Sequence, residues 1–349
     1  MVSRTLVVRL DNAGDVLLAG PAVRAAAASS EHVTLLAGPH GAQAARLLPG
    51  VDDVLTWRCP WIDGTPPPVD AAEVERLVAD LRGGAFDRAL ILTSFHQSPL
   101  PTALLLRLAG VPWVGAISED YPGSLLDLRH RLDDDLPEPE RALSLARAAG
   151  LELRPGDDGR LQVREPLPDV STVVPPHPYV VVHPGTSVPA RAWPVGHHRE
   201  AVEQLLAEGW AVVVTGGPAE AGLTAEVAAP GSVDLGGRTD LAELAAVLRG
   251  ARVVVAGNTG PAHLAAAVGT SVVSLFAPTV PAVRWAPYGV PTVLLGDQQA
   301  ACRDTRVTTC RVPGHPCLTS VQPHEVVAAV QRLGGLAPGR ADDELEVAR

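Results

Sequence analysis

Asp11 and Asp15 stand four positions apart in RLDNAGDVLL, where the first apolar run stops and an Ala-rich helical spacing begins. A carboxylate there can take a proton from a hydroxyl or cap the helix, and the residues alone leave both readings open for Asp15. Asp11 reads better as a turn or cap residue. Gly14 allows a ligand or backbone to approach closely beside Asp15. A second polar group, Ser94, His96 and Gln97 in ILTSFHQSPLP, ends another apolar run of the first half. It suggests contacts to a substrate, against the plain alternative of a polar surface loop.

Three loops of the second half suit a phosphorylated ligand. In VVVHPGTSVPARAWP, Thr186 and Ser187 offer hydroxyls ahead of a helix, and Arg191 offers a planar fork for phosphate oxygens. An ordinary turn explains the same residues. In VVVTGGPAEAG, Glu220 opens a helix and can accept from the two hydroxyls of a ribose, or simply complement the helix dipole. In VVVAGNTGPAHLAAAVG, Asn258, Thr259 and Gly260 precede Pro261 at the first helical position, with His263 in the first turn. That crowd of donors suits a diphosphate with a helix dipole behind it; a capped helix accounts for Pro261 but not for the polar residues before it.

Other chemistries lack their residues. No GxGxxG occurs, and the absence of lysine rules out a Walker A loop, so a nicotinamide-type dehydrogenase and a P-loop kinase are both disfavoured. Asp133 and Asp135 have DxD spacing, but they lie in a charged run before Pro137, in the half without the phosphate loops, and read as a solvated loop. Cys302, Cys310 and Cys317, with His315 among them, are spaced by eight and seven positions. Without CxxC knuckles they read as reduced thiols rather than a zinc site, and Cys59 is isolated. No metal or other cofactor is expected.

The elements that must position these groups alternate along the chain. Apolar runs at 5–10, 33–36, 51–55, 89–93 and 113–117 form one series of strands, and 179–183, 211–215, 253–256, 271–276 and 292–295 a second. Helical spacing falls at 16–28, 71–81, 139–149, 194–208, 241–248 and 261–268. Strands apolar throughout, separated by amphipathic helices, predict an α/β protein with parallel sheets covered on both faces. The proline-rich stretch 164–185 breaks the rhythm and reads as a linker. The boundary then falls near 170, giving two Rossmann-like domains, 1–170 and 171–335, with a polar tail at 336–349. Ligands of such sheets bind beyond the carboxyl ends of the strands.

The chain has 349 residues, 46% of them hydrophobic and 19% charged, which suits a folded protein with two cores. Every basic residue apart from histidine is arginine, and the net charge of −11 argues against non-specific binding of nucleic acid. Charged residues interrupt the first apolar stretch, and no apolar run reaches the roughly 18 residues of a membrane span. The expectation is a cytoplasmic protein, with transient contact with a membrane surface left open.

RLDNAGDVLLAGPAVRA, HPGTSVPARAWP, TGGPAE, GNTGPAHLAAAVGTSVVSLFAPT and CRVPGHPCL, in that order, resemble glycosyltransferase family 9, the ADP-heptose heptosyltransferases and their relatives. The resemblance implies a GT-B architecture, two Rossmann-like domains facing across a cleft, with the N-terminal one taking the acceptor and the C-terminal one the nucleotide sugar. It implies an inverting, metal-independent transfer of a heptose or similar sugar from an ADP-linked donor to a glycan or lipid-linked acceptor. By motif, Asp15 matches the general base. Thr186, Ser187 and Arg191 match positions that hold the diphosphate, Glu220 the residue facing the ribose, and Thr259, Gly260 and His263 the phosphate loop. Arg191 replaces the lysine of the best-known members and Asn258 a frequent aspartate. Ser94, His96, Gln97 and Gly14 are the candidate acceptor contacts. A sugar-nucleotide epimerase and a non-catalytic nucleotide-sugar binder are the alternatives.

Overall fold

The computed structural model describes residues 3–132, 135–176, 178–335 and 345–347. They form two compact units that part between Arg164 and Glu165, so most of the proline-rich stretch belongs to the second.

The first unit holds strands β1 (Arg4–Arg9), β2 (His32–Ala37), β3 (Asp53–Thr56), β4 (Arg88–Ile91), β5 (Trp113–Ile117) and β6 (Leu128–His130). All pair in parallel, in the order β3-β2-β1-β4-β5-β6. The second holds β7 (Tyr179–His183), β8 (Ala211–Val214), β9 (Val233–Asp234), β10 (Ala251–Gly257), β11 (Ser271–Leu275), β12 (Thr292–Leu295) and β13 (Leu345–Val347). Their order, β13-β12-β11-β10-β7-β8-β9, repeats the winding of the first unit with one strand added. Both sheets reverse direction of growth once, between β1 and β4 and between β7 and β10. The loops leaving those four strands therefore diverge and open a crevice at the carboxyl edge of each sheet.

The central strands are buried on both faces, with helices above and below. Leu6, Val8, Ala89, Ile91 and Val114 anchor one core of the first unit, and Val180, Val182, Val253, Val255 and Val273 anchor a core of the second. The helix expected over 16–28 is two helices, Ala13–Leu18 and Gly20–Ser29. Pro21 has no N–H to offer the carbonyl of Leu17, so the first helix stops one turn after it starts. Its N-cap is Asn12, which corrects the capping alternative for Asp15: Asp15 lies in the first turn. The expected helix over 261–268 is Gly260–Ala267, with Pro261 in its opening positions and Thr259 as N-cap. Among the described residues no helix is long and apolar enough to cross a membrane.

Candidate functional site

In the first unit the site is built around a residue that the sequence pattern hides. Arg9, the last residue of β1, is 3% exposed. Its Nε lies 3.0 Å from Asp11 Oδ2 and its Nη1 3.8 Å from Glu138 Oε2. Its Nη2 donates to Asp15 Oδ1 at 3.1 Å and to Ser94 Oγ at 3.0 Å. Burial works against the guanidinium charge, but the carboxylates of Asp11, Asp15 and Glu138 outweigh it and hold the pKa above its ordinary value. Gln97 completes the network: its side-chain amide donates to Asp11 Oδ1 at 2.6 Å, and its oxygen accepts from the Ser94 N–H at 3.0 Å.

The loops after β1 and β4 are thereby joined at the point where this sheet reverses. Asp15, Ser94 and Gln97 come together as the sequence suggested. Asp11 is more than a turn residue, because it ties Arg9 to Gln97. Gly14 is buried in the same helical turn as Asp15, whereas His96 is exposed, its ring edge-on to Phe95. Asp15 is 22% exposed and accepts from Arg9 through one oxygen. A partly open carboxylate held by a buried cation can accept a proton from a hydroxyl brought to it.

In the second unit the three phosphate-type loops meet. Those after β7 and β10 flank the other reversal point: Arg191 Nη1 donates to the main-chain oxygen of Asn258 at 3.4 Å. The loop after β8 joins them through Glu220, whose Oε2 accepts from the Gly217 N–H at 2.7 Å and lies 3.7 Å from His183 Nε2. His183, the last residue of β7, is buried, with Nδ1 3.0 Å from the Thr215 hydroxyl. Burial pushes its pKa down to about 4, Glu220 pulling the other way. Thr186 closes a small turn on Val188, through a 3.3 Å bond from that residue's N–H to its hydroxyl, and Ser187 is exposed beside it.

The third loop faces the crevice with polar groups not spent on capping. Thr259 is the N-cap of helix Gly260–Ala267, yet its hydroxyl makes no capping bond. Asn258 is 3% exposed and its side-chain nitrogen has no hydrogen-bond partner. A buried amide donor without an acceptor is costly unless something else supplies the acceptor. His263 is buried in the first turn of the helix. Thr186, Ser187, Arg191, Asn258, Thr259 and Gly260 can thus present hydroxyls, N–H groups and a guanidinium to an anion, in front of a helix N-terminus.

Arg9, Glu138 and His183 were missed in the sequence. Arg9 had one visible signal, a cation interrupting the apolar run 5–10; Glu138 had none, because it reaches Arg9 from a helix far along the chain. Of the DxD pair, Asp133 lies outside the described residues. Cys302 and Cys317 are buried and Cys310 is partly so. Among the described residues no group of three or more His, Cys, Asp or Glu side chains is arranged to hold a metal ion.

The chain is similar in fold to a glycosyl transferase family 9 structure from Veillonella parvula DSM 2008, with a TM-score of 0.78 at 16% identity, covering 95% of this chain and 97% of that one. It is also similar to the ADP-heptose lps heptosyltransferase II of E. coli, with a TM-score of 0.71 at 21% identity and coverage of 95% and 98%. The E. coli heptosyltransferase WaaC, solved with ADP, gives a TM-score of 0.66 at 19% identity and coverage of 94% and 97%. None of the curated proteins matches the sequence. Residues 74–315, well over half of the chain, match glycosyltransferase family 9 (heptosyltransferase) and include all three loops of the second crevice. With two doubly wound sheets and polar loops at both reversal points, the chain belongs to glycosyltransferase family 9.

Proposed function

We propose that the chain transfers a heptose or similar sugar, with inversion, from an ADP-linked donor to a hydroxyl of a glycan or lipid-linked acceptor. The observation that carries the donor half is that Glu220, a carboxylate suited to ribose hydroxyls, reaches His183 at the end of β7, while Arg191 and the orphaned amide of Asn258, both suited to phosphate, meet between the loops after β7 and β10. The WaaC structures with ADP and with ADP-2-deoxy-2-fluoro heptose support adenine as the base.

In this reading Thr186, Ser187, Arg191 and the Asn258–His263 loop hold the diphosphate and take up the charge that develops on it as the glycosidic bond breaks. Asp15 accepts the proton of the attacking hydroxyl, and Ser94 and Gln97, with Gly14 and the exposed His96, lie along the acceptor's approach. The acceptor oxygen forms its bond to the anomeric carbon as the ADP oxygen leaves with the bonding pair. An arginine and a helix N-terminus supply the positive charge, so no metal is required. The glycosyltransferase family sets this reading above an epimerase or a binder without turnover.

A thermal-shift comparison of ADP-, GDP- and UDP-sugars tests it. A ligand at a hundred times its dissociation constant adds about 2.7 kcal/mol, so the ADP-sugar should raise the melting temperature clearly and the others little. Stabilisation by a GDP- or UDP-sugar alone would refute the donor assignment.

A further inference from the structure

We propose that residues 296–317, the cysteine-bearing segment to which the reading above gives no task, form a strap that holds the Arg191 turn in place, with His315 as its positioning residue. The inference rests on the assignment of Arg191 to the donor diphosphate.

The strap runs between the loops that leave β11 and β7. On one side the N–H groups of Asp304 and Arg306 donate to the carbonyls of Pro278 and Thr279, both at 2.8 Å. On the other, the Thr308 carbonyl accepts from the Ala190 N–H at 2.9 Å, and His315 Nε2 lies 3.0 Å from the Ala190 carbonyl oxygen. That oxygen can only accept, so the imidazole carries its proton on Nε2. Both main-chain polar groups of Ala190 are therefore bonded by the strap.

Ala190 is the middle residue of the three-residue 3-10 turn Pro189–Arg191. The turn closes on itself through the Arg191 N–H to the Val188 carbonyl at 2.8 Å, but one three-residue turn has little stability alone and takes its position from what it is bonded to. Arg191 is the last residue of that turn, and its Nη1 reaches the Asn258 carbonyl oxygen at 3.4 Å. The backbone of the turn decides where the fork points, and the strap fixes that backbone.

The strap is itself held in an uncommon conformation. Asp304, Arg306 and His315 have φ of +59°, +57° and +51°, a region that residues other than glycine adopt when surrounding bonds over-determine it. Cys302 and Cys317 are buried in the hydrophobic core of the second unit, and Val307 and Val312 pack against it. The cysteines thus act as small apolar anchors of the strap, and His315 is the side chain that carries its grip to the turn.

The test is the dissociation constant for ADP, by calorimetry on the full chain, for wild type, His315→Ala, His315→Gln, Arg191→Ala and the His315→Ala/Arg191→Ala double variant, each with its melting temperature. Loss of the imidazole should lower the melting temperature by a few degrees at most, because the bond lies within the protein at a half-buried site, and should weaken ADP by up to about five-fold, as the loosened turn must be re-ordered on binding. Glutamine, under the same backbone strain, places an amide N–H near Nε2 and should recover most of the affinity. If His315 acts through Arg191, the double variant should be no weaker than Arg191→Ala alone. Unchanged affinity in His315→Ala, no recovery with glutamine, or costs that add in full would each overturn the strap while leaving the donor assignment standing. Unchanged affinity in Arg191→Ala would overturn both.

Discussion

The carboxylate of Glu220 occupies the space that a side chain on residue 185 would need, so a glycine there leaves the carboxylate in place against the Gly217 N–H. A methyl group at 185 would meet the carboxyl carbon and both its oxygens, so Gly185→Ala must displace Glu220 from the Gly217 N–H and from His183. If Glu220 binds ribose hydroxyls, ADP affinity should fall roughly ten-fold or more, the usual cost of losing a hydrogen bond to a charged group. Titration calorimetry checks this. A Gly185→Ala protein that folds and binds ADP as before would remove Glu220 from the nucleotide contact.

Acid should destabilise the second unit through two buried imidazoles. His183 is held down to about 4, by burial against the pull of Glu220, and His198 to about 3, by burial and by the neighbouring His183 and His197. His198 also has both ring nitrogens without a hydrogen-bond partner and an edge contact to Trp193 at 4.7 Å between centroids. Unfolded histidine titrates near 6.5, so below that pH the unfolded chain gains protons that the folded chain refuses. This contribution is complete above pH 6.5 and is lost as pH falls toward 4 and 3, a few kcal/mol in all as an order of magnitude. Urea midpoints should drop between pH 7 and pH 5, and His198→Leu should flatten the slope. An equally steep slope in that variant would place the acid sensitivity elsewhere.

Removal of divalent cations is the third case. With Arg191 and the helix beginning at Gly260 as the positive groups, turnover should persist in excess EDTA. Activity abolished by EDTA and restored by Mg²⁺ or Mn²⁺ would overturn metal independence.

The parts of the fold legible in the sequence are those where one signal dominates. Trp113–Ile117, Tyr179–His183 and Thr292–Leu295 are strands over the expected residues, each an apolar run closed off by turn formers. Two-residue β9 is too short to carry a period, and helix Leu100–Leu108 is apolar nearly all round, so no stripe marks it. At the site, the loops were legible because polar residues crowd the strand ends. Arg9 was not, since within an apolar strand it reads only as an interruption, and its meaning comes from Asp11, Asp15, Ser94 and Glu138 gathering around it. The helical turn that carries Asp15 begins earlier than the apolar spacing indicates, which is why the sequence leaves a cap reading open.

Asp15→Asn is the measurement that bears most directly on the proposed transfer. Asparagine keeps an oxygen to accept from Arg9 but loses the basic carboxylate, and Asp11 and Glu138 remain to balance the buried cation. ADP release from an ADP-linked heptose, followed with an acceptor glycan present, should slow by roughly 10²- to 10⁴-fold, while ADP affinity and melting temperature stay close to wild type. A folded Asp15→Asn enzyme that turns over at the wild-type rate would contradict the assignment of Asp15 as the base.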